Sequence, residues 1–167
     1  MILGMPTFTF IHVVLSLIGI GAGVVVVGGL FAGKRLDGWT AIFLATTVAT
    51  SVTGFFLPAE HFLPSHAVGI ISLIALALAL FARYARHLVG AWRRTYVVSA
   101  VFALYLNVFV LVAQLFLKVP ALQALAPTQS EPPFQVAQAV VLAIFVAVAI
   151  VAMARFGREK QHDGLNA

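Results

Sequence analysis

The chain has 167 residues, of which 62% are hydrophobic and 9% charged, and its mean hydropathy is +1.08. A soluble domain carries about a quarter charged residues, because water must solvate its surface, so a soluble enzyme, a nucleic-acid-binding domain and a disordered tail are excluded together. At about 20 residues per membrane-crossing helix, the apolar content supplies roughly five spans of an all-α, multi-pass transmembrane bundle with almost nothing left over.

In chain order, the first span is expected over 8–32, ending at Gly33-Lys34-Arg35, with Asp37-Gly38 as the turn and Trp39 at the interface. Met1–Phe10 has no Lys or Arg and no small-residue cleavage site, so this reads as a retained span and not a removable signal. The second span covers 40–57 and stops at Pro58. The third, 66–83, starts after Pro64-Ser65, with a wet helical extension through Arg86 and His87. The fourth, 95–117, lies between Arg94 and Lys118, and Pro120–Ala126 reads as a short interfacial helix. Before the fifth span, 134–156, Thr128 and Glu131 have the capping-box spacing and Pro132-Pro133 suit a first helical turn. Residues 157–167 read as a polar cytoplasmic tail, and no internal repeat divides this single transmembrane domain.

Charge placement supplies the orientation. Lys34, Arg35, Arg83, Arg86, Arg93, Arg94, Arg155, Arg158 and Lys160 fall on one side of a five-span bundle, leaving Lys118 alone on the other. The positive-inside rule then puts the N-terminus in the periplasm and the C-terminus in the cytoplasm of a bacterial-type inner membrane. The net charge of +5 is therefore topological. It implies the lipid bilayer as partner and no nucleic acid, with other membrane subunits or a homo-oligomer as further partners.

With charges at the edges, neutral polar groups are left to carry any function. On the first span His12, Ser16, Gly19 and Gly23 share a stripe. Gly19 and Gly23 either let a neighbouring helix approach or leave a slot for a flat ligand. Thr46, Thr47, Thr50, Ser51, Thr53 and Gly54 form a hydroxyl face on the second span, read as a structural seam. Asn107 of the fourth lies mid-membrane and must have a partner. Ala139, Ala143 and Ala147 of the fifth form a small-residue packing ridge, with Gln135 and Gln138 at its outer end.

Three histidines, His12, His61 and His66, fall at the outer side, while His87 and His162 read as ordinary interface and tail positions. Neutral imidazole ligates iron or a divalent metal and relays protons. Two readings with a ligand follow. One haem b, with a redox role, would use His12 and His66 beside Gly19, Gly23 and Gln138; a zinc or copper ion would draw on His61, His66 and Glu60. Against them stands a purely structural use of these residues, with His12 bonded to Gln138 or a carbonyl. At the level of function, redox binding competes with a non-enzymatic accessory or assembly subunit and with a small-solute or ion transporter. Glu60-His61 is not a metalloprotease motif, and no oxyanion hole accompanies Ser16 and His12.

Overall fold

The computed structural model describes residues 6–57 and 64–156, and over them the chain is all-helical. The elements are α1 (Thr7–Phe31), α2 (Asp37–Gly54), α3 (Pro64–Leu80) continued by a π turn (Phe81–Ala85), α4 (Trp92–Lys118), α5 (Pro120–Leu125) and α6 (Pro132–Phe156). Four segments are long and apolar enough to cross a membrane: α1, α3 with its π turn, α4 and α6. The other long helix, α2, has 18 residues and is diluted by Asp37, Thr40, Thr46, Thr47, Thr50, Ser51 and Thr53. The expected set of five similar spans is thus four strongly apolar helices and one rich in hydroxyls.

α4 is central. It packs on α3, α6 and α1, while α2 lies between α1 and α3. Small residues let it sit there: Ala100 and Ala103 are buried beside Tyr96, Val97 and Leu104, against Val26, Phe43, Leu44 and Leu76 of the neighbouring helices. Gly23 marks the closest approach. A Cβ at that position would stand 2.6 Å from Leu104 Cδ1 and 3.0 Å from the Phe43 ring.

Two features hold the arginine-rich end. Arg83, 8% exposed, sits in the π turn and pairs with Asp37 at the start of α2, and its guanidinium lies 5.4 Å from the Tyr96 ring centre. Arg83 closes the third span as expected, but its side chain is covered there, where a buried cation needs its carboxylate. Arg93 donates to the Phe156 carbonyl at 2.8 Å and lies 5.0 Å from that ring, so a cation caps the end of α6.

At the other end, α5 matches the expected interfacial helix, and Pro132 and Pro133 open α6. The Thr128–Glu131 pair forms, but differently from a capping box. The helix starts at Pro132, so the Thr128 hydroxyl donates to the Glu131 carboxylate at 2.9 Å instead of accepting from a backbone N–H. The backbone N–H groups of Thr128 and Ser130 donate to the same carboxylate, both at 3.1 Å. The alanine ridge is a clearer correction: Ala139, Ala143 and Ala147 face outward, and α6 buries Gln138, Ala152 and Phe156. The apolar residues of α6 run all round the helix, so sequence alone does not say which stripe is covered.

Two predictions follow from the packing and the loop. Gly23→Ala is expected to cost about 1–3 kcal/mol through overpacking, measured by thermal unfolding in detergent, and Leu104→Ala in the same chain should recover part of it. No recovery would place the strain elsewhere. Glu131 loses a little hydration, which opposes ionisation, but the hydrogen bonds from Thr128 and Ser130 outweigh it and hold its pKa below the ordinary carboxylate value. Ordering of the 126–131 loop is therefore full above the unfolded-state pKa and fades as pH falls through the lowered one. Hydrogen exchange of the Thr128 amide should quicken on acidification beyond its intrinsic trend in the wild type and show no such step in Glu131→Gln.

Candidate functional site

Where the hydroxyl face of α2 meets α1, α3 and α4, the bundle does not close, and a cavity of about 220 Å3 remains. It opens toward the end where α1 and α3 begin and α2 and α4 finish. α1 supplies His12 and Ser16, α2 supplies Thr50, Ser51, Gly54 and Phe55, α3 supplies Ser65, His66, Gly69 and Ser72, and α4 supplies Asn107 and Gln114. Leu57, Val68, Leu106 and Val110 complete an apolar part of the wall. Every polar group in this lining is neutral in form or an imidazole.

The hydrogen bonds around the cavity have a definite direction. Thr53 donates its one hydroxyl proton to the Ala49 carbonyl at 2.7 Å, the usual back-bond of a helical threonine. His12 Nδ1 lies 2.9 Å from the same oxygen. With the Thr53 proton on the Ala49 carbonyl, His12 is the donor in its Nδ1–H tautomer, and Nε2 is then an acceptor or ligating atom. His66 stacks on Phe55, ring centres 5.7 Å apart. Ser51 donates to Ser72 at 3.0 Å, tying α2 to α3. Asn107 donates to Thr47 at 3.3 Å, the partner its depth demanded. The Thr50 hydroxyl differs from all of these: it is buried and has no hydrogen-bond partner among the described residues.

The residues singled out from sequence separate into three groups. His12 and His66 share this cavity. Gly19, Gly23 and Gln138 do not line it. A Cβ on Gly19 would meet the Thr46 and Thr47 hydroxyls at 3.1 Å, and the space beside Gly23 is filled by Leu104 and Phe43. Both glycines thus serve helix packing, and neither offers a slot for a flat ring. Gln138 donates to the Phe109 carbonyl at 3.1 Å and makes no bond to His12. Glu60 and His61 lie outside the described residues, as does the 157–167 tail with His162.

These positions bear on the haem reading. Haem b does not fit this cavity: it is smaller than the roughly 300–1,000 Å3 pockets that take drug-sized molecules, and its expected glycine slot is occupied. Of the expected zinc or copper ligands, His66 lines the cavity, while Glu60 and His61 lie outside the described residues. No group of three or more His, Cys, Asp or Glu occurs among the described residues.

Sequence reasoning missed the α3 wall. Ser65, Gly69 and Ser72 are spaced i, i+4, i+7, so one helical face carries them, and that spacing was readable. Thr50 was grouped with a structural seam, and nothing in its spacing separates it from Thr47, which is satisfied. No family model, curated protein or solved structure matches the chain.

The tautomer assignment is directly testable. Nitrogen NMR of labelled protein at alkaline pH, where imidazole is neutral, should show His12 protonated at Nδ1, and Thr53→Val should release that preference. An Nε2–H tautomer in the wild type refutes the arrangement.

Proposed function

We propose that this chain is an integral membrane protein that holds a small, uncharged polar molecule in the cavity between α1, α2, α3 and α4. The positive-inside rule turns that cavity to the periplasmic face of a bacterial-type inner membrane, with the arginine-rich end in the cytoplasm. The observation that carries the reading is the cavity itself, a gap of about 220 Å3 inside an apolar bundle, walled by His12, Ser16, Ser51, Ser72, Asn107 and Gln114. A buried polar group left unsatisfied costs about 1–3 kcal/mol, so a polar lining around an internal gap calls for an occupant that bonds to it.

The lining defines the class of occupant. It offers donors and acceptors, imidazole nitrogens among them, and among the described residues no carboxylate, ammonium or guanidinium. A charged ligand would be desolvated there without a counter-charge. A neutral molecule bearing hydroxyl, amide or carbonyl groups on a partly apolar frame suits the mixture. The volume equals that of about seven waters at roughly 30 Å3 each, which sets the scale at a single small ring or a short chain. Binding with release to either face would make the chain a small-solute transporter, and binding alone a receptor or carrier.

A second reading, an accessory subunit of a larger membrane complex, is favoured by α6. Its Ala139, Ala143 and Ala147 are exposed on the side away from the bundle, and ridges of small residues are what membrane helices use to approach one another.

One experiment addresses both. Native mass spectrometry of the gently extracted chain should show a species heavier by a small-molecule mass, present in the wild type and lost in His12→Phe, which keeps an aromatic ring and removes the imidazole nitrogens. Identical masses in the two would mean that the cavity holds only water. A Soret band, or a metal in stoichiometric amount, would restore the haem or metal reading. A fixed protein partner in the same spectrum would support the accessory role.

A further inference from the structure

The opposite end of the bundle holds a second cavity, about 340 Å3, between the start of α4 and the end of α6. Val97, Met153 and Phe156 form its apolar wall, and Arg93, Arg94, Gly90 and Ala91 line its polar part. The two arginines differ in freedom. Arg93 is fixed by its bond to the Phe156 carbonyl, which leaves the rest of its planar fork available. Arg94, one residue on, is exposed and forms no ion pair among the described residues.

The surroundings match one kind of occupant. Lys34, Arg35, Arg83, Arg86, Arg93, Arg94 and Arg155 gather at this end, while among the described residues its carboxylate is Asp37, already held by Arg83. The positive end of the α4 dipole adds to this field. Trp92, next to the cavity, lies under the Arg86 guanidinium at 5.2 Å and against the edge of Phe81, the kind of aromatic anchor found at headgroup level. A cationic rim over an apolar wall at that level complements an anionic headgroup with acyl chains below it.

We propose that this crevice seats an anionic phospholipid, its phosphate on Arg94 and Arg93 and its chains along Val97 and Met153. Guanidinium is the appropriate group, since its fork matches two phosphate oxygens at once. The proposal requires the chain to lie in a bilayer and does not depend on what the His12 cavity holds.

The test is lipid retention measured by native mass spectrometry after exchange into micelles doped with phosphatidylglycerol or phosphatidylcholine. The wild-type chain should retain phosphatidylglycerol preferentially. Arg94→Gln should cut that retention at least about tenfold, as loss of a charge-assisted hydrogen bond does. Arg35→Gln, at the same end but away from the crevice, should change it less than about threefold, as expected for a surface charge. Equal retention of the two lipids, or equal losses in the two variants, would overturn the site. Displacement of the lipid by inorganic phosphate would assign the arginines to a soluble anion and overturn the lipid reading as well.

Discussion

A polar side chain inside an apolar medium has only its own bundle to bond with, and this chain places most such side chains on α2. The helix survives because most of these hydroxyls are answered at short range. Thr46 and Thr53 bond back to their own carbonyls, Ser51 reaches Ser72 on α3, and Thr47 accepts from Asn107 on α4. These bonds also order the neighbours, since α1, α3 and α4 must each present a matching group to the same helix. Thr50 is where the matching stops, and the cavity sits there.

The two ends of the bundle meet the same constraint with different chemistry. At the histidine end, neutral groups line a cavity and nothing in the described lining is ionised in form apart from what imidazole can become. At the arginine end charge is admitted, and where it is covered it is compensated: Arg83 by Asp37, Arg93 by a carbonyl and a ring. Between them lies a dry section in which Gly23, Phe43 and Leu104 close the bundle. A packed apolar core thus separates the cavity lined by neutral polar groups from the crevice lined by arginines.

How much of this could be read in the sequence depends on whether a property is carried by one helix or by two. The helices themselves, the interfacial α5, the buried face of α2 and the need of Asn107 for a partner were legible, because hydropathy and 3.6-residue spacing are properties of one element. Alternation of direction put His12 and His66 at the same end of the bundle, but that they share a wall came only from the packing of α1 against α2 and α3. The function of Gly23 did not, since a glycine stripe looks the same whether a helix or a ligand fills it. The side of α6 that faces the bundle was equally hidden, because Ala139 and Ala149 are alike until a neighbour covers one of them. The burial of Arg83 was hidden for a different reason: it goes with a local change of helix type that leaves no mark in residue composition.

That π turn has a consequence for how the chain can change over time. A π turn holds one residue more than the α-helix it interrupts, and Arg86 N–H reaching the Phe81 carbonyl at 3.0 Å is its signature. Each residue turns a helix by about 100°. Loss of a single residue from 81–85 would let the segment relax into ordinary helix and would turn the residues of that last turn, Arg83 included, relative to Asp37. The apolar length of α3 would hardly alter. The pairing of Arg83 with Asp37 therefore depends on the count of residues across the turn as well as on their identity.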